Sequence, residues 1–279
     1  MRTTPMSLQR HWEIIDVLTE LYVLLDTLAA IPPNLLRLPP VDTGTHPVDV
    51  FNAEAANAAG FSSEAVKTLS ALPYLDDIVL IAPSTTTMNY YGQGRDTSLF
   101  GDDRELVYDE RLAPPSVIQL TASEGGYGCI YIYDAETRNM FPWTPMYEGS
   151  SAADSEENDS DRPDYLHVEP RSPREALQPL IDKFRRLHYI NMPLSGDTNH
   201  LLFEENLDIG VSNTPTKDEL QRYVGMDYYR RWQVSRELKE IYLDCGWKVD
   251  AVEQLEFRRD EFLERRRHHL ANAQSLAAE

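Results

Sequence analysis

Apolar residues recur at three- and four-residue steps over residues 10–29. Trp12, Ile15, Leu18, Tyr22, Leu25 and Leu28 there share one face, which predicts an amphipathic helix. Ile31-Pro32-Pro33 ends it, because proline removes a backbone donor and pushes its predecessor out of the helical region. A proline-rich link follows, through Pro39-Pro40 to Pro47. Two short helices are expected at 50–59 and 63–72, hinged at Gly60 and closed by Pro73.

The pattern then changes from helical steps to short β-rich runs. Strands are expected at 78–82, 86–91, 116–122, 129–133 and 140–143. Ser123-Glu-Gly-Gly-Tyr-Gly128 has the glycines that a hairpin connection needs. Pro142 makes the 140–143 run an edge strand or a strand end. Along 129–133 alternate side chains share a face, so Tyr131 and Tyr133 lie with Cys129, opposite Ile130 and Ile132. If the isoleucines are core, the tyrosines are either a binding surface or covered by a helix.

Residues 148–169 hold eight acids and one arginine among serines, the composition of a polar loop. Ser151-Ala-Ala-Asp154 within it suits an acid-directed kinase. Ser172-Pro173-Arg174-Glu175 opens a helix with a capping box and proline at the first helical position, and Pro179 is expected to kink it. Helices over 217–245 and 250–273, broken at Gly246, close the chain. The pattern predicts an α+β protein: a small, mostly antiparallel sheet packed by N-terminal and C-terminal helices, in a single domain with a helical tail. Its expected parts are 1–49 (helix and link), 50–216 (α+β core with the acidic loop) and 217–279 (helical pair).

Composition adds a sign. Of 279 residues, 26 are Lys or Arg and 46 are Asp or Glu, a net charge of −20. Residues 1–147 carry −11, 148–216 carry −8 and 217–279 only −1. Affinity for nucleic acid comes mainly from cations that neutralise phosphates, so the body of the protein is disfavoured as a polyanion binder. The N-terminus lacks the apolar stretch of a secretory signal, and 14–31 carries Asp16, Glu20 and Asp26, costly in lipid. A cytoplasmic protein without membrane association is expected. Cys129 and Cys245 stand alone in their segments, so no disulfide framework, zinc cluster or cofactor is expected.

Candidate chemistry is sparse. Gly125, Gly126 and Gly128 are followed by a strand rather than the helix that a phosphate loop needs. The seven histidines are scattered, and surface positions are expected for them. Carboxylate pairs are abundant: Asp76-Asp77, Asp102-Asp103 with Glu105, and Asp109-Glu110. Such pairs hold a cation, act as acid and base, or are solvated loop charge. The expected binding surface combines Tyr131, Tyr133 and Trp143 with Asp76 and Asp77. Arg258, Arg259, Arg265, Arg266 and Arg267 form a basic patch on the last helix, explained by ion pairs within that helix or by docking of an acidic segment or RNA.

Several stretches together resemble a large set of mostly uncharacterised fungal intracellular proteins: Phe51-Asn-Ala-Glu-Ala-Ala-Asn-Ala-Ala-Gly-Phe61, Leu72-Pro-Tyr-Leu75, Ile130-Tyr-Ile-Tyr-Asp134 with Pro142-Trp143, Ser172-Pro-Arg-Glu-Ala-Leu177 and Ile241-Tyr-Leu-Asp-Cys-Gly-Trp247. The order hairpin, Ile130–Asp134, Pro142-Trp143 and helix from Ser172 is similar to the SUKH-type fold of fungal cell-wall regulators and bacterial toxin-immunity proteins. That similarity implies an α+β binding module without catalysis, and the acidic surface with the aromatic face points to a basic protein partner. The chain is also similar in size to fungal arginine-containing cyclodipeptide synthases, which carry an Asp-Asp-x-x-Glu motif. Asp102-Asp-Arg-Glu105 is one residue short of that motif, and Asp260-Glu-Phe-Leu-Glu264 has Glu in second place. This second resemblance implies a tRNA-dependent enzyme whose catalytic acids are Asp102, Asp103 and Glu105.

Overall fold

The computed structural model describes residues 6–88, 90, 112–148, 164–191, 201–203, 226–249, 251 and 254–277. They form an α+β protein in which every strand pairing is antiparallel. The chain divides into two compact units. The first comprises Met1–Val23 and Asn34–Pro179, the second Leu24–Pro33 and Leu180–Glu279. No helix among the described residues is long and apolar enough to cross a membrane.

In the first unit a 3-10 turn, Met6–His11, leads into helix α1, Trp12–Thr27, which starts two residues later than its periodicity suggests. Two-residue strands β1 (Leu36–Arg37) and β2 (Tyr74–Leu75) pair across the proline-rich link. Between them lie α2 (Ala53–Ala58) and α3 (Ser63–Ala71). Asn52 and Ser62 cap these helices, their side-chain oxygens accepting from Ala55 N and Ala65 N. Next come β3 (Leu80–Ala82), β4 (Thr85–Thr87), β5 (Val117–Gln119), β6 (Thr121–Ser123), β7 (Ile130–Asp134) and β8 (Met140–Trp143). Their orders are β3-β4-β6 and β5-β7-β8, the expected meander with Pro142 in an outermost strand.

One stretch, residues 117–123, joins the two sheets. Leu120 N donates to Tyr131 O at 2.8 Å, while Leu120 O accepts from Met88 N at 3.0 Å. Past this point the β6 backbone is occupied by β4, and side chains take over towards β7. Thr121 Oγ1 donates to Cys129 O at 2.9 Å and accepts from Tyr131 N at 2.8 Å. Thr85 Oγ1 accepts from Cys129 N at 2.9 Å, and Ser123 Oγ accepts from Gly128 N at 2.7 Å. All three hydroxyl residues are buried and satisfied. The approach is tight enough that a Cβ on Gly128 would sit 1.9 Å from Ser84 O, so only glycine fits there.

After β8 come α4 (Pro145–Glu148), a 3-10 turn (Asp164–His167) and α5 (Pro173–Arg185). The capping box at α5 is formed: Ser172 N donates to Glu175 Oε2 at 3.0 Å and Glu175 N to Ser172 Oγ at 3.3 Å. The helix continues through Pro179. Arg174 anchors the α5 end to α1, pairing with Asp16 and with Glu20, each at 2.8 Å.

In the second unit β9 (Tyr189–Asn191) pairs with β10 (Leu201–Phe203), and helices α6 (Met226–Asp244) and α7 (Arg259–Ala277) close the chain, α7 starting nine residues later than the expected 250. Tyr242, Trp247, Phe257 and Phe262 form an aromatic cluster, with Tyr242 and Phe262 stacked at 3.8 Å between centroids. The last turn of α1 belongs here, because Tyr242 Oη donates to Leu28 O at 2.6 Å. Gly246 ends α6 as the sequence suggests, at φ +93. The α1 terminus and the α5 terminus use the same turn without glycine. Ala29 at φ +50 and Leu187 at φ +55 occupy the left-handed position, and Ala30 N and His188 N reach back to Leu25 O and Lys183 O.

Candidate functional site

The aromatic residues expected to form a binding surface are in the interior. Trp143 packs with Ile130, Ile132, Val117, Phe141 and Tyr165 on one face of β5-β7-β8, while Tyr131 and Tyr133 lie buried on the other face. Both faces of β7 are therefore covered, and the covered reading of the tyrosines holds. The reason is visible in the partners: phenol and indole groups bring large apolar area, and β7 is the central strand of its sheet.

The cover on Tyr133 is a histidine. His11 is 1% exposed, with Nδ1 2.9 Å from Tyr133 Oη and Nε2 3.2 Å from Glu64 Oε2. Lys67 Nζ binds the other Glu64 oxygen at 2.7 Å, and Arg10 lies 4.0 Å from Glu64. The lysine and the histidine hold the Glu64 carboxyl below the usual range, so it is an acceptor only. That fixes the imidazole roles: Nε2–H donates to Glu64, and Nδ1 accepts from the Tyr133 hydroxyl. Burial lowers the His11 pKa, against the pull of Glu64, and pushes the Tyr133 phenol up. Sequence reasoning placed His11 on the surface. Its partners lie 53 and 122 residues away, a separation that carries no local signal.

Asp76 and Asp77 are exposed, as expected of a binding surface. They follow β2 directly. Arg37 Nη2 reaches Asp76 Oδ2 at 2.7 Å, and Asp77 Oδ1 accepts from Ile78 N at 2.8 Å. The proline-rich link starts beside them at Leu38. It returns where His46 N donates to Ser70 O at 2.7 Å and His46 Nε2 lies 2.9 Å from Leu72 O. Both ends are thus stapled along the segment that enters β2, and the middle of the link is left at the surface. Val41 and Val48 are each 73% exposed and Ile78 is 58% exposed, interspersed with Asp42, Asp49 and Asp77. Among the described residues no ion pair engages those three aspartates.

The arginines of α7 do not form one open patch. Arg258 pairs with Glu261 at 2.6 Å, and Arg265 pairs with Asp244 at 2.8 Å and Glu261 at 3.8 Å. Arg259 donates to Asp26 O, Arg266 to Ala29 O at 2.8 Å, and Arg258 also to Asp244 O at 2.6 Å. These carbonyls belong to the C-terminal ends of α1 and α6, where the helix dipole is negative and acceptors lack intrahelical donors. Ion pairs along α7 account for Glu261 only; the larger share of the guanidinium groups caps other helices. Arg267 remains exposed.

Asp102, Asp103 and Glu105 lie outside the described residues, as do Asp109-Glu110, residues 149–163 of the acidic loop and residues 217–225 of the expected tail helix. Among the described residues no cluster of His, Cys, Asp or Glu could hold a metal ion. Cys245 is buried and Cys129 half-buried, and neither is in a disulfide. No protein-family model, curated protein or solved structure matches this chain.

Proposed function

We propose that the protein is a non-catalytic interaction module of the cytoplasm, SUKH-like in type, that binds a basic protein partner through its first unit. One observation carries this reading. The first unit holds 27 acidic and 11 basic groups, net −16, against 19 and 15, net −4, for the second. Among its described cations, Arg37 is paired with Asp76, Lys67 with Glu64, and Arg174 with Asp16 and Glu20. The field outside this unit is therefore negative, and it attracts and orients cationic partners.

The contact surface of this proposal is the proline-rich link with the Asp76-Asp77-Ile78 corner. It replaces the aromatic face expected from sequence and keeps its two aspartates. Exposed valines and an isoleucine among unpaired aspartates suit a partner segment that mixes lysine or arginine with aliphatic residues. Purified full-length protein, immobilised and challenged with cell lysate at 0.1 and 0.5 M salt, tests the reading. A partner retained at low salt, released at high salt and lost by the Asp42→Lys, Asp77→Lys double variant supports it. The absence of any salt-sensitive partner sinks it.

A further inference from the structure

His11 occupies a position that no other described residue shares: a nearly inaccessible imidazole bridging three elements. It ends the 3-10 turn Met6–His11, touches Tyr133 on β7 through Nδ1 and touches Glu64 on α3 through Nε2. The hydrogen-bond roles derived above allow one protonation state only. A second proton would have to go on Nδ1, where the Tyr133 hydroxyl now donates. Two donors would then face each other at 2.9 Å, and the phenol would have to turn its own proton towards a new acceptor in a closed site.

The charges around the ring do not rescue the imidazolium. On α3, Glu64 faces it but is already held by Lys67 at 2.7 Å. In the turn after β7, Arg138 opposes a positive charge on His11, while Asp134, at the end of β7, acts on Tyr133. On its own segment, Arg10 opposes the added charge and Glu13 lies close enough to act on Tyr133. A buried cation here would keep a single, shared carboxylate as its direct partner.

We infer that His11 is an acid-operated latch: neutral, it ties the N-terminal turn and the start of α1 to β7 and α3; protonated, it lets that segment go. The segment released is short and amphipathic, and Trp12 beside the latch is already exposed on its outer side. Release would uncover Tyr133 and the adjoining face of β7, a surface that the neutral state keeps covered.

The test compares full-length wild type with His11→Gln between pH 7.5 and 5.5. Glutamine keeps a donor and an acceptor but takes no proton in this range. Hydrogen exchange, corrected for the intrinsic effect of pH, is read at the backbone amides of residues 12–23. The latch requires protection in the wild type to fall at least tenfold at pH 5.5 while His11→Gln holds its protection. In parallel, the His11 Cε1–H resonance of the wild type should titrate with its midpoint below 6.5, together with the loss of protection. Equal losses in the two proteins would overturn the inference, since another group would then be responsible. So would an unchanged wild type, or a midpoint at or above 6.5. Should His11→Gln fail to fold, Tyr133→Phe takes its place. It removes the opposing donor, so the His11 midpoint must move up, and an unmoved midpoint is equally fatal.

Discussion

Arg266 Nη1 donates to the carbonyl oxygen of Ala29 over 2.8 Å, joining residues 237 positions apart in sequence. The same guanidinium lies 5.5 Å from the Phe262 ring centre. Burial lowers its pKa, so its charge is held in place by these local acceptors and by the nearby Tyr242. Arg266→Met keeps the apolar stem and removes the cap. It is expected to cost about 1–3 kcal/mol, because the Ala29 carbonyl is left buried without its donor. Urea denaturation at 0.1 and 1 M NaCl checks this: the loss should be similar at both. Glu261→Gln, which breaks only exposed pairs, should leave the midpoint nearly unchanged.

The helix end that Arg266 caps is strained. Ala29 sits at φ +50, where an L residue costs about 1–2 kcal/mol relative to glycine. Ala29→Gly should therefore raise stability by about 1 kcal/mol, since little side chain is lost. Gly246→Ala goes the other way: its Cβ would meet Glu256 O at 2.4 Å with φ at +93, displacing the turn that leads into α7. A loss above about 2 kcal/mol is expected. Thermal melts of the two variants, measured side by side, should shift in opposite directions.

Both features show what is legible locally. The capping box at Ser172 and Glu175 and the glycine stop at 246 were readable, because each device lies within four residues of the helix end it serves. The glycine turn at 124–128 was readable for the same reason, although the β6 ladder it leaves runs to β4 and not to β7. The stop at Leu187 carries no glycine and no adjacent proline, so nothing local marks it, and the one at Ala29 is marked only by Pro32-Pro33 beyond it. The β1–β2 ribbon has two residues per strand, too few for a period of two to show. Of the candidate site, Asp76 and Asp77 are legible as an adjacent carboxylate pair at a helix-to-strand junction. The burial of Tyr131, Tyr133 and Trp143 depends on what covers a strand, and that information lies in His11 and Tyr165, far away in the chain.

Thr121 makes a side chain do the work of a ladder. Its hydroxyl accepts from Tyr131 N and donates to Cys129 O within a buried site. Thr121→Val keeps the shape but removes both of these buried hydrogen bonds, so a loss of about 2–4 kcal/mol is expected. Thr121→Ser should recover most of it, because the hydroxyl and not the methyl carries the contact. If valine and serine cost the same, the contribution is packing, and the sheet junction rests on something other than these two bonds.

Acid should weaken the fold before its carboxylates titrate. His11 and His46 both have pKa values lowered by burial; Glu64 opposes this at His11 and the Leu72 carbonyl opposes it at His46. A histidine that resists protonation when folded takes up its proton more readily unfolded, near pH 6.5. Below that pH the unfolded chain binds more protons, so stability is fully present above about pH 6.5 and is lost as pH falls. Each histidine contributes a slope of at most about 1.4 kcal/mol per pH unit. The Glu64 carboxyl is shifted down by Lys67 and His11, so its contribution is lost only at lower pH, below the ordinary glutamate range. Urea melts of the wild type at pH 7.5, 6.5 and 5.5 should show stability falling over the last interval. His46→Gln, which keeps a donor for Leu72 O, should remove one proton's share of that slope. A wild-type stability that is flat or rises from pH 6.5 to 5.5 would mean that neither imidazole is held neutral in the folded chain.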